Sequence, residues 1–192
     1  MSVATTLLSY EQRESVDQAV EDFTCRGPRH EDDPTVDFGD KYIKEGVWAE
    51  LDECSVTRTW AAIVEGKLVG YLALASDAVR LTRGERHQAD LDAVSTSRYG
   101  CTQIHMLAVR AEFHEHPELH VGRALVEQAI LVAKKTGDEI GARFLAADVN
   151  PPAQGFYERC GFVSLAGESE ELEDKRKRGM VPMILDLRPP SN

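Results

Sequence analysis

The sequence predicts an α/β (α+β) protein: one mixed, mostly antiparallel central sheet with helices on both faces. Two runs rich in β-branched and aromatic residues, 57–64 and 68–76, flank the turn "EGK" and read as a hairpin. The stretch "VGRALVEQAILVAKKTG" repeats apolar residues at helical spacing through Val121, Leu125, Ala129 and Val132. Beyond the hairpin, strand-like and helix-like segments alternate, the order that builds a layered sheet. With 192 residues, the chain can bury roughly 70% of its unfolded surface, which suits a single domain over residues 1–192.

In chain order, "YEQRESVDQAVEDF" (residues 10–23) reads as a first helix, and "VDFGDKYIKEGVWAEL" (36–51) contains a second. The polar, turn-rich "CRGPRHEDDP" joins them. After the hairpin, residues 77–100 are polar and irregular and read as a long loop holding one short helical turn. "CTQIHMLAV" makes the next strand, ending at Val109. In the long helix that follows, Lys134 and Lys135 suit the negative end of the helix dipole, and Gly137 can end it. "ARFLAADV" is a further strand. In "NPPAQGFYERCGF", Asn150 has the chemistry of an N-cap and Pro151 that of a first helical residue. A short helix therefore runs to about Cys160, and the chain re-enters the sheet at Phe162 before a last strand, "MVPMILDL".

Composition narrows the function classes. No apolar run approaches the ~18 residues of a membrane span, and the start "MSVATTLLSYEQRES" lacks the basic and apolar regions of a signal peptide. A cytoplasmic location and no membrane partner are expected. Cys25, Cys54, Cys101 and Cys160 lie far apart without a C-x-x-C pair, so free, mostly buried thiols are expected. A net charge of −11 repels polyanions and disfavours tRNA as a partner. The one basic cluster, "KRKR" at residues 175–178, follows "ESEELED". A loop of opposed charge blocks is more often a solvated, self-neutralising surface than a binding site.

Two motifs carry a family resemblance. "MLAV" at residues 106–109 is followed by a loop and "GRALVEQA", and "NPPAQGFYERCGF" places Ala153 three and Tyr157 seven residues after Asn150, ahead of a closing Gly-Phe. With the order of elements, these resemble the GNAT superfamily of acetyl-CoA-dependent N-acetyltransferases over roughly residues 22–187. The hairpin "TRTWAAIVEGKLVGYLALASDAV", together with "FTCRG" and the helix near "DKYIKE", is similar to the acetyltransferase toxins of bacterial toxin-antitoxin pairs, which acetylate aminoacyl-tRNA.

The resemblance implies acetyl-CoA as acetyl donor. It implies that Leu107 and Val109 meet the pantetheine arm through their main chain, that Asn150 hydrogen-bonds it, and that Gly122, Arg123 and Ala124 bind pyrophosphate. It makes Tyr157 the general acid toward the coenzyme A sulfur. A core tyrosine packing the last helix on the sheet is the other reading of Tyr157, and an N-cap the other reading of Asn150. Transfer to an amine also needs a proton acceptor. His105 lies on the strand and Glu112, His114 and His116 just past its end, but no single base stands out, and ordered water can serve instead.

The loop "HEHPELHVGRAL" departs from the family pattern of Gln or Arg, two residues, Gly, one residue, then Gly or Ala. Anchored on Gly122, the pattern puts Pro117 at the Gln or Arg and His120 at the first glycine, and the loop is about three residues longer than usual. Glycine lets bare N–H groups gather around phosphate at a helix start, so this nest is half preserved, and Glu115 and Glu118 oppose an anion. A helix beginning earlier, with His116 as cap and Pro117 first, would displace the site. His114, His116 and His120 are soft donors, yet their spacing matches no metal pattern.

The acceptor is expected to be a primary amine. An acidic surface favours a cationic one, such as a polyamine, an aminoglycoside or a basic protein segment. The competing class is a GNAT-fold interaction module that has lost its cofactor. Homodimers through a sheet edge are common in such folds.

Overall fold

The computed structural model describes residues 3–8, 20–26, 34–114, 116 and 118–188, with the backbone alone for residues 34–36. Its strands are β1 (Ala4–Leu7), β2 (Arg58–Val64), β3 (Lys67–Arg80), β4 (Arg98–Val109), β5 (Phe144–Val149), β6 (Val163–Ser164) and β7 (Val181–Asp186). The helices are α1 (Pro34–Lys44), α2 (Val47–Glu53), α3 (Arg83–Gln88), α4 (Val121–Ile140), α5 (Gln154–Arg159) and α6 (Glu170–Lys177), with 3-10 turns at Ala111–Phe113 and Pro151–Ala153. The strands form one mixed sheet in the order β1-β2-β3-β4-β5-β7-β6. It is mostly antiparallel, and β4 and β5 pair in parallel. Two compact units divide the chain: Met1–Ala75 with His105–Gln128, and Ser76–Ile104 with Ala129–Asn192. Among the described residues, no helix is long and apolar enough to cross a membrane.

In the first unit the hairpin forms as the sequence predicts. Its loop is Glu65 and Gly66, at φ 50° and 79°, the doubly positive geometry that matches strand twist. β1 is an addition: four mostly exposed residues pair antiparallel with β2, from Ala4↔Ile63 to Leu7↔Trp60. Four residues are too few for a period to show. The expected second helix is two helices, α1 and α2, broken at Gly46 with φ 74°. Of the expected first helix, residues 10–19 lie outside the described residues, and Val20, Glu21 and Asp22 form a bend and turn rather than helix. The core gathers Phe23, Tyr42, Trp48 and Tyr71. Tyr42 and Tyr71 stack at 5.5 Å, and their hydroxyls are satisfied by Thr57 and Thr59 for Tyr42 and by the Gly39 carbonyl at 2.6 Å for Tyr71.

In the second unit the expected loop 77–100 is largely structured. β3 continues to Arg80, α3 starts in a capping box between Thr82 and Glu85, and β4 begins at Arg98. Polar exposed positions had masked the strand period there. Gly137 does not end α4, which runs on to Ile140 before Gly141 turns at φ 83°. Gly137 lies inside the helix because the Ala142 carbonyl packs against it: a β-carbon there would sit 2.4 Å from that oxygen. The charge blocks around residue 175 form helix α6 instead of a loop. Ser169 caps it, Glu170, Glu171 and Glu173 fill its first turn, and Lys175, Arg176 and Lys177 its last, the arrangement the helix dipole favours. Arg143 braces this unit through Asp186 at 2.7 Å and the Ala89 carbonyl at 2.6 Å. Cys25 and Cys101 are buried free thiols, Cys160 is half-buried and Cys54 is exposed.

Candidate active site

The candidate residues divide between the units. His105, Leu107, Val109, Gly122, Arg123 and Ala124 belong to the first, Asn150 and Tyr157 to the second.

The β4–β5 ladder runs from Cys101↔Phe144 to Ile104↔Ala147 and stops there, although β4 continues to Val109 and β5 to Val149. Main-chain groups beyond a ladder's end need other partners. At the end of β4, Arg110 holds the strand to β3: its N–H donates to Val69 O at 2.8 Å and its Nε to Leu68 O at 3.2 Å. The Val109 carbonyl accepts from His114 Nε2 at 2.7 Å.

His105 is exposed, with its ring 6.1 Å from that of Tyr42. Loss of water on that side lowers its pKa below the ordinary imidazole value, which keeps the ring neutral and able to take a proton at neutral pH. Glu112 is exposed and lies 3.9 Å from Arg110.

The loop after β4 does not start the helix early. His116 does act as a cap, but of a turn: its Nδ1 accepts the N–H groups of Glu118 at 3.3 Å and Leu119 at 3.1 Å, and its ring stacks on Phe113. Helix α4 begins at Val121. Glu115 and Pro117 lie outside the described residues. The Val121 N–H donates to Leu119 O and that of Ala124 to His120 O. Gly122 and Arg123 remain as the first-turn donors to which a helix offers no carbonyl. Arg123 pairs with Glu127 at 3.1 Å on an exposed face, which offsets its charge. Among the described residues, no group of three metal-ligating side chains comes together.

Gly70, which the sequence motifs do not single out, marks a close approach. Gly70 of β3 is buried where the start of α4 packs: a β-carbon would stand 2.8 Å from Ala108 O and 3.1 Å from side-chain carbons of Leu125 and Val121. A glycine inside a strand is the signal for such close backbone approach.

In the second unit, Asn150 directly follows β5, its carbonyl accepting the Ala153 N–H at 2.9 Å, and its side chain makes no capping bond. The expected cap fails for a covalent reason. Pro151 and Pro152 have no N–H to give, and that of Ala153 already serves the Asn150 carbonyl. Tyr157 is buried in α5, edge-on to Phe156 and Phe162, each at 5.2 Å. Burial pushes its phenol well above the usual tyrosine range, with Cys160 adding to the shift. The hydroxyl therefore stays protonated throughout the neutral range.

The chain matches the acetyltransferase (GNAT) family over residues 20–162 and belongs to that family. Solved structures share the fold along almost the whole chain. A mutant of KacT has a TM-score of 0.73 at 13% identity, over 97% of this chain and 96% of that one. AtaT complexed with acetyl-methionyl-tRNAfMet has 0.71 at 14%, over 96% and 95%. A structure described as a bacterial toxin has 0.69 at 20%, over 96% and 90%. At these identities the likeness establishes the fold. No curated protein sequence matches the chain.

Proposed function

We propose that the chain transfers the acetyl group of acetyl-CoA to a primary amine. The observation that carries this reading is the end of the β4–β5 ladder at Ile104↔Ala147, which leaves main-chain groups of β4 to an amide-rich arm such as pantetheine. Leu107 and Val109 would hold that arm through their main chain, with Asn150 as a side-chain partner. The Gly122 and Arg123 N–H groups, with Ala124 closing the turn, suit pyrophosphate.

The donor supplies a thioester. In the transfer, the amine nitrogen bonds to the acetyl carbon, the carbon–sulfur bond breaks, and the proton lost by nitrogen ends on sulfur. Tyr157 is proposed as the group that hydrogen-bonds the departing sulfur. With its pKa raised, the phenol is a weaker acid than a thiol, so it steadies the sulfur's charge as a donor more than it gives up its proton outright. His105 is the proposed proton acceptor.

Calorimetric titration with acetyl-CoA tests the reading, with Gly122→Glu as control. Micromolar binding that the control abolishes supports it. No binding at millimolar donor overturns it and returns the chain to the class of interaction modules.

A second reading, acetylation of aminoacyl-tRNA, is favoured by the whole-chain likeness to KacT and AtaT. The basic cluster gives it little help. Lys175 pairs with Asp148, Lys177 with Asp174, and Arg176 is tied to the carbonyls of Leu165 and Gly167. Growth arrest on expression, relieved by Tyr157→Phe, would decide for tRNA over a small cationic acceptor.

A further inference from the structure

The end of β4 holds a contact that the proposed chemistry has to disturb. The Arg110 N–H donates to Val69 O of β3 at 2.8 Å. In a trans peptide the C=O and the N–H point in opposite directions, so the Val109 carbonyl, which shares that peptide, points away from β3. The preceding carbonyl agrees with this alternation: Ala108 O lies on the β3 side, where Gly70 packs against it. Val109 O therefore stands on the side of the strand that, past the last β4–β5 pair at Ile104↔Ala147, is left for the donor.

That carbonyl is already taken. The 3-10 turn Ala111–Phe113 reverses the chain, with the Phe113 N–H on Arg110 O at 2.9 Å, and returns His114 to the strand it has just left. His114 Nε2 meets Val109 O at 2.7 Å. A carbonyl only accepts, so Nε2 carries the proton in this contact. The His114 residue is exposed, so water can solvate the ring on release and the contact opens at low cost. An imidazole N–H and an amide N–H are the same kind of single donor, and the pantetheine arm brings amides of its own.

We infer that His114 is an internal competitor at the donor site: it holds the Val109 carbonyl until the pantetheine arm of acetyl-CoA displaces it. This inference rests on the reading of the chain as an acetyl-CoA-dependent transferase. Displacing one intramolecular hydrogen bond of this kind weakens the donor by about two- to tenfold. Ligands without the arm are spared that loss. A carbonyl oxygen has two lone pairs, so sharing of Val109 O between His114 and the donor is the alternative that the test has to separate from displacement.

The test is calorimetric titration of the parent protein and His114→Ala with acetyl-CoA and with 3′-phospho-ADP, which has the same nucleotide and pyrophosphate but no pantetheine arm. His114→Ala should bind acetyl-CoA about two- to tenfold more tightly and 3′-phospho-ADP with unchanged affinity, a gain that misfolding cannot produce. In the parent, the imidazole nitrogen resonance of His114, assigned by its loss in His114→Ala, should shift on addition of acetyl-CoA and stay in place with 3′-phospho-ADP. Acetyl-CoA affinity equal or weaker in His114→Ala, or a His114 resonance that stays in place at saturating acetyl-CoA, overturns the displacement and leaves the donor reading standing. A gain shared by both ligands also overturns it, because the arm is then not what His114 opposes. No acetyl-CoA binding by either protein at millimolar concentration overturns the donor reading and the displacement with it.

Discussion

Replacing Gly70 with alanine tests whether the first turn of α4 is held down on β3 and β4 by close packing. The new β-carbon would sit 2.8 Å from Ala108 O, 0.6 Å short of the 3.4 Å at which ordinary contact begins. Leu125 and Val121 crowd it at 3.1 Å from the other side. Overpacking of this kind costs about 1–3 kcal/mol, while replacing a strand glycine regains about 0.5–1 kcal/mol of backbone entropy. The carbonyl is main chain and cannot swing aside, so the clash wins by about 1–2 kcal/mol. At about 2–4 °C per kcal/mol for a chain of this size, the melting temperature should fall by roughly 2–8 °C, read by circular dichroism. The same wedge lifts Val121 and Leu125, so acetyl-CoA affinity should fall with it. Gly84→Ala is the control, since nothing lies within 4 Å of its added carbon, and it should melt no lower than the parent. A Gly70→Ala protein that melts at or above the parent temperature would refute the packing argument.

Three further outcomes are expected. Gly137→Ala should lower the melting temperature despite alanine's better helix propensity, because its β-carbon meets the Ala142 carbonyl at 2.4 Å; thermal denaturation reads the sign. Tyr157→Phe should lower kcat by about 10²–10³, the cost of one hydrogen-bond donor to developing charge, with little change in melting temperature, since the ring packing on Phe156 and Phe162 survives. His105 has a folded pKa below its unfolded value, so the unfolded chain binds more protons between the two. Its contribution is present above the unfolded value of about 6.5 and is lost as pH falls through the folded one, so His105→Gln should flatten the pH dependence of stability in that window.

The hairpin and α4 were legible because each is long and strongly periodic, and the turn residues Glu65 and Gly66 agree with the strands they join. Less was legible where a partner decides the structure. β1 is a strand because β2 offers it an edge. The 77–100 segment hid a strand end and a helix because its side chains are largely polar. The charge blocks of α6 resemble a solvated loop in sequence because the helix dipole that sorts them, acidic residues first and basic residues last, is a property of the folded helix. For the site, the motif placed Tyr157 on its short helix correctly. The failed Asn150 cap was readable in principle, since two successive prolines remove the donors a cap needs. The contact at Gly70 was not, because its partners at Ala108 and Leu125 are far along the chain.

In the loop ahead of α4, two histidines make the hydrogen bonds that organise the described residues. A glycine nest points its N–H groups outward at an anion. Here His116 Nδ1 turns the N–H groups of Glu118 and Leu119 inward, and His114 closes on the Val109 carbonyl. The imidazoles thus take up donors of the described loop residues, leaving those of Gly122 and Arg123. Ordering before binding lowers the entropy lost on association, whereas fewer donors lower the enthalpy gained. The two effects separate in a calorimeter. Replacing His116 with alanine frees two N–H groups and loosens the loop, so acetyl-CoA binding should become more exothermic and entropically less favourable. A parallel loss of both terms would mean that the imidazole itself meets the donor.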